Sequence, residues 1–483
     1  MERLANFIGG QLCAPVGGQY LEKREPATGE VIALVPASDA RDLEQAVAVA
    51  RAAFPSWAAT SVEERSRFLV RIADLIEAHM EELAWAESRD TGKPLWLAQQ
   101  VDIPRAVRNF RFFAAGLLHF ASEAYQTDSQ AFSYTLRQPL GIVGCIAPWN
   151  LPLYLLTWKV APALATGNCV IAKPSELTPT TAQMLARLTV EAGLPPGVFN
   201  VVQGEGPAVG TALVAHPEVR ALSFTGGTRT GEAIARVAAP MFKKLTLELG
   251  GKNPTIIFED CRFEVAVHEA IRAAFSNQGE ICLCGSRILV QSSIYEAFRR
   301  EFVARARALR VGDPLDSSTQ QGALISEQHL QKVLSYVELS RQEGGTVLCG
   351  GERLWLEGRC RNGYFMAPTV VEGLAPGCKV NQEEIFGPVA TLIPFDSEDE
   401  AIAYANGTAY GLAASVWTDN LGRAHRVAES LQSGVVWVNC WMLRDLRTPF
   451  GGMKHSGIGR EGGWEAFRFF TEPKSVTIAL WRD

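Results

Sequence analysis

The chain has 483 residues, of which 47% are hydrophobic and 20% are charged, and its formal net charge is -6. This length predicts two or three domains at roughly 150 residues each, and the composition excludes a disordered chain. The modest negative charge gives no reason to expect nucleic-acid binding. The sequence shows no secretory signal, no run of about 18 apolar residues and only ten cysteines, so we expect a cytoplasmic protein with reduced thiols that does not enter a membrane.

Helical spacing dominates the first part of the chain. Ser38 or Asp39 is a candidate cap for a first helix, and Ser61 begins a capping box for a second. The segment Thr91-Gly92-Lys93-Pro94 ends this run, and a further helix is predicted over 103–118.

From residue 140 onward, short apolar strands alternate with helical stretches. A first series of strands lies within 140–258, and a second lies within 256–440. Such alternation predicts parallel, doubly wound sheets in two successive α/β domains. Two other strand-like segments, at 131–138 and 469–480, stand outside both series.

Ligands of doubly wound sheets bind outside the carboxyl ends of the strands. The residues that follow each strand of the first series are therefore candidates for a site. They are 148–150, 173–176, 225–228 and Glu248.

Two of these segments suit a dinucleotide. Gly226 and Gly227 follow a strand and precede a helix, where glycines let the backbone approach a pyrophosphate. Lys173 and Glu176 follow a neighbouring strand, where a carboxylate binds ribose hydroxyls and repels a 2′-phosphate. An ordinary Gly-rich turn and two solvated charges are the alternatives.

An apolar stripe begins directly after Asn150. Leu151, Tyr154, Leu155 and Trp158 recur at helical spacing, which is more often typical of a core than of a substrate wall. Because the stripe begins beside a polar amide, it is a candidate wall of a substrate cavity.

Glu248 stands between two leucines at the end of a strand. Burial there should raise the pKa of the carboxyl, as a general base near neutral pH requires. A carboxylate bound by backbone donors is an equally good interpretation of this segment alone.

Cys282 lies on the connection between a predicted helix ending at Phe275 and a predicted strand beginning at Arg287. It is a candidate nucleophile, provided that its surroundings lower the pKa of the thiol. A small buried apolar residue is the commoner fate of a free cysteine. Only Cys284 is a close neighbour, and the seven histidines do not cluster around either cysteine, so no metal site is predicted.

Six segments together resemble the NAD(P)-dependent aldehyde dehydrogenase superfamily over nearly the whole chain. They stand in the family's order, which is hard to explain by chance: Pro148-Trp149-Asn150, Lys173-Pro174-Ser175-Glu176, Leu247-Glu248-Leu249-Gly250-Gly251-Lys252, Phe275-Ser276-Asn277-Gln278-Gly279-Glu280-Ile281-Cys282, Glu383-Glu384-Ile385-Phe386-Gly387-Pro388 and Pro449-Phe450-Gly451-Gly452. Two positions depart from the family pattern. Glu280 stands where glutamine is common, and Gly227 stands where serine is frequent, which removes a hydroxyl contact to the cofactor.

The resemblance implies oxidation of an aldehyde to a carboxylic acid with NAD, NADP being the less favoured cofactor. Cys282 would attack the aldehyde, and the Asn150 amide with the Cys282 backbone N–H would stabilise the thiohemiacetal oxyanion. Glu248 would then activate the water that hydrolyses the thioester. Lys159 and Glu461 are weaker candidates for a proton relay.

The resemblance also implies a cofactor site and a domain division. The implied cofactor contacts are Trp149, Lys173, Glu176, Gly226, Gly227, Glu384 and Phe386. The implied domains are a dinucleotide-binding domain over 1–120 and 140–249, a catalytic domain over 250–450, and a small β arm over 121–139 and 451–483. The arm would bridge the subunits of a homodimer or homotetramer, since its exposed edges would otherwise favour aggregation.

The segment before the family's Gly-Gly motif carries Arg444 and Arg447, and it resembles the muconic semialdehyde branch of the family. The run 277–284 fits the 2-aminomuconic side of that branch better than the 2-hydroxymuconic side. Because guanidinium binds carboxylate bidentately, we expect Arg444, with Arg105 or Arg447, to bind the remote carboxylate of such a substrate. Pairing of these arginines with Asp445 and other acids is the alternative. The expected apolar lining is Leu151, Tyr154, Leu155, Trp158 and Phe450.

Other functions fit parts of this pattern. A broad-range enzyme for aliphatic, aromatic or retinal aldehydes would keep the fold and change the substrate. An acylating, CoA-dependent enzyme fits less well, because Glu248 favours water as the acyl acceptor. A non-catalytic structural or binding protein on the same scaffold is the alternative of another class, and the presence of Cys282, Asn150 and Glu384 argues against it.

Overall fold

The computed structural model describes residues 2–481. Met1, Arg482 and Asp483, which belong to the predicted first domain and arm, lie outside the described residues. Helices begin and end at the residues whose chemistry favours it. Asp39 rather than Ser38 caps the first helix and completes a capping box with Asp42, while Gly92, at a left-handed φ of 81°, ends the third helix.

The helices of the described chain are spread over both halves of the sequence. In chain order they span Ala40–Ala58, Val62–Ala78, Met80–Thr91, Leu95–Leu97, Ile103–Leu117, Pro152–Ala165, Thr180–Glu191, Thr211–Ala215, Thr228–Ala238, Phe263–Phe275, Tyr295–Ala308, Glu327–Gln342, Lys379–Gln382, Glu398–Asn406, Leu421–Ser430 and Gly463–Phe469.

An eight-stranded sheet organises the first domain. Its five central strands are parallel and its outer strands are antiparallel. Nearly every residue of the parallel strands is buried, as expected for a sheet on which helices pack. Across the sheet, the strands are Gly457–Ile458, Lys244–Glu248, Val219–Thr225, Ile142–Ile146, Cys169–Lys173, Phe199–Val201, Asn6–Ile8 and Gln11–Cys13.

A seven-stranded sheet organises the second domain. Only its edge strand Thr346–Cys349 is antiparallel to its neighbour. The order across this sheet is Thr346–Cys349, Thr369–Glu372, Val389–Phe395, Arg287–Gln291, Pro254–Ile257, Ala413–Trp417 and Val435–Val438. The two predicted α/β domains with largely parallel sheets are therefore confirmed.

The smaller sheets include the strands of the predicted β arm. Three antiparallel strands, Ala124–Thr127, Ala131–Pro139 and Thr471–Ala479, form the predicted β element. The tail differs from the predicted boundary, because Gly457–Ile458 joins the first sheet and helix Gly463–Phe469 packs its apolar side chains into the first core. Short sheets elsewhere comprise Glu2–Arg3 with Val31–Pro36 and Tyr20–Arg24, Arg353–Leu354 with Phe365–Met366, and Tyr410–Gly411 with Met453–Lys454.

The carboxyl ends of the first sheet face the second domain. Strand Lys244–Glu248 continues through two glycines into strand Pro254–Ile257 of the second sheet, so the chain crosses between the domains at this point. No helix within residues 2–481 is both long and apolar enough to span a membrane.

Candidate active site

The loop that carries Cys282 has a strained backbone. Helix Phe263–Phe275 ends seven residues before the cysteine, and the intervening Asn277 and Gln278 both adopt left-handed φ values, 51° and 56°. Such a conformation costs a non-glycine residue roughly 1–3 kcal/mol and persists only when its surroundings hold it. The Gln278 side chain supplies this support, because it donates to the Ala323 carbonyl (3.3 Å) and accepts from the Gly322 N–H (3.2 Å).

Asn253 fixes the same loop from the opposite side. Its buried amide donates to the carbonyls of Cys282 (2.7 Å) and Cys284 (2.9 Å), and its Oδ1 accepts from the Ala413 N–H (2.9 Å). Its role was not predicted from the sequence. Its position directly after the glutamate motif, at the crossing between domains, is the signal that could have indicated it.

Cys282 and Asn150 line one cavity of about 260 Å³. A second cavity of about 750 Å³ shares five of its lining residues and extends to Lys173 and Glu176, so the two form one groove. Of the predicted cofactor residues, all seven line this groove: Trp149, Lys173, Glu176, Gly226, Gly227, Glu384 and Phe386.

The Asn150 side chain lies beside the cysteine with a donor to spare. One of its two amide N–H groups donates to the Glu280 carbonyl (2.8 Å), which leaves the second free of that bond. The Cys282 backbone N–H has no acceptor within residues 2–481. Two N–H donors at one carbonyl-sized position are what an oxyanion requires.

The surroundings of Cys282 keep its thiol protonated. Burial is the main cause that raises the pKa of the thiol, and the nearby carboxylates of Glu384 and Glu248 raise it further, while Arg444 opposes them. The pKa of the Cys282 thiol is therefore not lowered, as it would be for a resting thiolate. Nucleophilic attack requires a base that accepts the thiol proton.

Glu248 is 3% exposed, and neither of its carboxylate oxygens has a hydrogen-bond partner within residues 2–481. Burial, followed by the charge of Glu461, raises the pKa of this carboxyl well above its usual value. The alternative of a carboxylate bound by backbone donors is therefore wrong. The side chain points toward Gly451, where a Cβ would lie 2.8 Å from Oε1, and it is not among the residues lining the cavity around Cys282.

Lys159 and Glu461 form a buried ion pair close to this carboxyl. The Lys159 Nζ lies 2.6 Å from Glu461 Oε1, and the Ser223 hydroxyl lies 2.9 Å from the same oxygen. Glu461 and Lys159 are the second and third largest influences on the pKa of Glu248. The candidate relay residues thus stand within electrostatic range of the candidate base.

Glu384 and Phe386 form the far wall of the groove. The Gly251 N–H donates to Glu384 Oε1 (2.9 Å), and the carboxylate lies so close to Gly250 that any side chain there would collide with it. Phe386 has a left-handed φ of 61°, and its ring stands perpendicular to Trp149 at 5.3 Å between centroids.

His329 completes this wall, although no motif marked it. Its Nε2 lies 2.6 Å from the Phe386 carbonyl, and its ring contacts Trp149 edge to face at 5.2 Å. Burial lowers the pKa of this imidazole to about 4, so the ring is neutral and carries its proton on Nε2 to donate to the carbonyl. His329 thereby holds Phe386 in its left-handed conformation.

The groove fits a nicotinamide dinucleotide. Space around Gly227 is open, with no atom within 4 Å of a Cβ placed there, and helix Thr228–Ala238 begins directly after it. A pyrophosphate can approach the helix N-terminus at this point. At the outer end, Lys173 Nζ lies 3.3 Å from Glu176 Oε2, which places a cation and a carboxylate side by side in the groove.

The apolar side of Cys282 comprises most of the predicted wall. Leu151, Tyr154, Leu155 and Phe450 belong to one buried cluster against which Cys282 packs. Trp158 belongs instead to the core of the first domain. A cavity of about 870 Å³ begins at Phe450 and is lined by Arg444 and Arg447 among others.

The three candidate arginines have different surroundings. Arg105 is 5% exposed, lies over the rings of Tyr154 (4.8 Å) and Trp158 (5.0 Å), and has an Nη2 without a hydrogen-bond partner within residues 2–481. Arg444 stacks on Phe450 at 3.9 Å. Arg447 pairs with Asp445 at 2.6 Å, and its side chain is 81% exposed.

Comparison with known proteins decides the family. The profile of the Aldehyde dehydrogenase family matches residues 14–476. This chain belongs to the aldehyde dehydrogenase family. The predicted family, fold and reaction class are confirmed: the chain is a nicotinamide-dependent oxidoreductase that acts on an aldehyde.

Several relatives within the family match nearly the whole chain. The 2-aminomuconic semialdehyde dehydrogenases of Bos taurus and Homo sapiens are 55% and 54% identical over 480 residues, with 98% of each chain covered. The 2-hydroxymuconic semialdehyde dehydrogenase of Pseudomonas sp. (strain CF600) is 46% identical, covering 99% of this chain and all of the relative.

Solved structures agree with the fold. HpcC from Thermus thermophilus superposes with a TM-score of 0.98 at 45% identity, covering 100% of this chain and 94% of that one. An NAD+ complex of an aldehyde dehydrogenase from Bacillus cereus superposes with a TM-score of 0.97 at 42% identity, covering 99% and 97%.

Proposed function

We propose that this enzyme oxidises, with NAD, an aldehyde that bears a carboxylate at its far end, such as 2-aminomuconic 6-semialdehyde. The observation that carries the proposal is the pair Arg105 and Arg444, because neither makes an ion pair with an acid within residues 2–481. The similarity to the 2-aminomuconic semialdehyde dehydrogenases supports it.

The two guanidiniums lie within electrostatic range of each other. Burial, with a smaller effect from the positive charge of Arg444, lowers the pKa of Arg105 to about 10, which requires the two groups to lie within electrostatic range. Arg444 also acts on the Cys282 thiol and the Glu248 carboxyl. A bound carboxylate would neutralise this like-charge pair and satisfy the free Nη2 of Arg105, a bond to a charged group worth about 1.5–3 kcal/mol.

Arg447 is the natural control for this clamp. Its guanidinium binds Asp445 through Nε and Nη2, and it is exposed to solvent, so its charge is already compensated. Exposed pairs of this kind contribute about 0–1 kcal/mol. We therefore assign the clamp to Arg105 and Arg444 and leave Arg447 outside it.

The reaction begins at Cys282. The thiol gives up its proton to a water molecule in the groove as its sulfur attacks the aldehyde carbon. The Asn150 amide with the Cys282 backbone N–H then stabilises the oxyanion of the thiohemiacetal. The aliphatic and aromatic cluster around the cysteine excludes water during this step. A nicotinamide dinucleotide, when bound, supplies the hydride acceptor, after which the substrate remains on Cys282 as a thioester.

Glu248 serves the hydrolysis. A carboxyl whose pKa is raised by burial accepts a proton from water more readily than an exposed one. Lys159 and Glu461 give that proton a route away from the site. This arrangement favours water over a thiol as the acyl acceptor.

NAD is the preferred dinucleotide in this proposal. The Glu176 carboxylate lines the outer end of the groove beside Lys173. It suits a ribose 2′-hydroxyl and repels a 2′-phosphate.

The proposal includes a homo-oligomer in the cytoplasm. The strand at 131–139 exposes Phe132 and Leu136, and the tail strand that pairs with it exposes Ile478, which supports burial of this sheet against another subunit. All ten cysteines are free thiols, as expected in a reducing compartment.

A substrate panel tests the proposal. Steady-state kinetics with NAD would compare 2-aminomuconic and 2-hydroxymuconic semialdehydes with hexanal and retinal. We expect kcat/KM to be at least about tenfold higher for the two carboxylate-bearing semialdehydes, since one charged hydrogen bond is worth that factor. Equal or better turnover of hexanal or retinal would contradict the clamp and favour a broad-range enzyme. The ratio of kcat/KM for the two semialdehydes shows whether the 2-aminomuconic or the 2-hydroxymuconic compound is the better substrate.

A further inference from the structure

A buried ammonium lies beneath the candidate oxyanion donor. Lys93 is fully buried, pairs with the carboxylate of Asp102, and donates from Nζ to the Asn150 carbonyl at 2.9 Å. Asp102 is itself fully buried, and its second carboxylate oxygen has no partner within residues 2–481. The hydrogen bond from Lys93 therefore links this buried ion pair to Asn150, which lines the same cavity as Cys282.

The backbone around Lys93 is held in place independently of this bond. Gly92 ends helix Met80–Thr91 with a φ of 81°, at a point where a Cβ would lie 2.8 Å from the Ala323 carbonyl. The Ser88 hydroxyl donates to the Lys93 carbonyl at 2.6 Å. The backbone that carries the Lys93 side chain is therefore fixed, and the ammonium supports the Asn150 segment.

The same helix supports the other end of that segment. Leu153 lies in the first turn of helix Pro152–Ala165, whose N-cap residue makes no side-chain capping bond. Glu87 accepts from the Leu153 N–H at 3.1 Å and from the Thr181 hydroxyl at 2.8 Å. Glu87 and Lys93, six residues apart, therefore bind the peptide groups on both sides of the turn that begins at Asn150.

The ion pair also reaches the substrate side of the site. Asp102 is the last residue of a π-helical turn, Ala98–Asp102, and the helix that carries Arg105 begins directly after it. Turns of this type often occur at functional sites. The Lys93–Asp102 ion pair thus lies between the segment that carries Asn150 and the helix that carries Arg105.

We infer that Lys93, held by Asp102, is a positioning residue that aims the Asn150 amide at the oxyanion formed on Cys282. This inference rests on the role proposed for Asn150. Lys93 does not touch the reacting atoms, and it acts through the Asn150 carbonyl. Without its bond, the Asn150 carbonyl keeps only the weaker 3.3 Å bond from Asn277.

A second buried ion pair provides a matched control. Lys23 pairs with Asp90 at 3.9 Å, both side chains are nearly as buried, and the Lys23 Nζ donates to backbone carbonyls, one of them that of Asp90 at 2.9 Å. Neither residue bonds a group that lines the cavity around Cys282. Lys23→Met and Lys93→Met each remove one buried ammonium and leave its carboxylate partner buried, and Lys93→Met also leaves the buried Glu87 within electrostatic range.

The test compares these variants with Asn150→Ala and Asp102→Asn in the full-length enzyme. Four kinetic and binding quantities are measured: kcat and KM for the semialdehyde, the Kd of NADH by fluorescence, and the rate at which iodoacetamide alkylates Cys282, followed by mass spectrometry of its peptide. Alkylation develops no oxyanion, so this rate reports the thiol alone. The thermal midpoint reports folding.

We expect Lys93→Met to lower kcat about tenfold or more, part of the effect of losing an oxyanion donor outright. KM, the Kd of NADH and the alkylation rate stay within about threefold, a split that a loss of folding would not produce. Lys23→Met lowers the thermal midpoint similarly and leaves kcat within about twofold. If Lys93→Met does not fold, the isosteric Asp102→Asn is expected to show the same split with a smaller loss.

Four results would overturn the inference. Equal losses of kcat in Lys93→Met and Lys23→Met, or a parallel fall in alkylation rate and kcat, would make Lys93 a structural residue only. If Asn150→Ala retains full kcat, the role proposed for Asn150 fails first, and the inference about Lys93 fails with it. A collapse in Asn150→Ala beside an unchanged Lys93→Met would refute the inference alone.

Discussion

The cofactor side and the substrate side of this active site treat their charged groups differently. On the cofactor side, Glu384 accepts from a backbone N–H and Lys173 pairs with Glu176. On the substrate side, Arg444 and the Nη2 of Arg105 have no acidic partner within residues 2–481. The Nη2 of Arg105 is buried, and a buried donor without a partner costs free energy, so we propose that the substrate supplies the acceptor. In the proposed function, the side with uncompensated charge selects the substrate.

Replacing Arg444 tests this contrast with the largest expected effect. Arg444→Ala should raise KM for a carboxylate-bearing semialdehyde about tenfold or more, because a charged hydrogen bond worth roughly 1.5–3 kcal/mol is lost. In the same variant, KM for hexanal should change less than about twofold. In the control Arg447→Ala, KM for both substrates should change less than about twofold, because the Arg447 guanidinium is already paired with Asp445. Equal effects of Arg444→Ala on both substrates would remove the clamp from the account.

His329 tests the cofactor side at an intermediate scale. His329→Phe keeps an aromatic ring against Trp149 and removes the donor to the Phe386 carbonyl. We expect the Kd of NADH to rise about fivefold, because one hydrogen bond contributes about 1 kcal/mol. His329→Gln, which can restore the donor, should recover most of the affinity. Isothermal titration of NADH measures both. An unchanged Kd in His329→Phe would show that Phe386 holds its conformation without this bond.

The smallest expected effect is a change of stability with pH at Glu248. Because burial raises the pKa of Glu248 in the folded state, ionisation of this carboxyl opposes folding as the pH rises above the unfolded value near 4.5. Glu248→Gln removes this opposition, so it should unfold at a higher temperature than the native enzyme at pH 8, by roughly 1 °C for each kcal/mol relieved in a chain of this length. The difference should shrink toward zero as the pH falls to 4.5. Thermal melts that show the native enzyme more stable at pH 8 would contradict the burial argument.

Sequence patterns predicted the parts of the molecule that depend on local chemistry. Alternating strands and helices located both sheets, and the residues after strand ends located the groove, because parallel strands bring those ends together. The pairing of Gly457–Ile458 with Lys244–Glu248 was not predicted, since it depends on contacts more than 200 residues apart. His329, Asn253 and Lys93 were missed for the same reason, because each acts on a backbone group brought close only by folding.

The central claim, that Cys282 carries the acyl group between oxidation and hydrolysis, can be observed directly. Glu248→Gln, which lacks the candidate base, would be mixed with NAD and the semialdehyde, quenched in acid and analysed by peptide mass spectrometry. The account predicts an acyl adduct on Cys282 that accumulates only when NAD is present and that the native enzyme clears. An adduct on Cys284 instead, or substrate turnover by Cys282→Ser at the native rate, would contradict it.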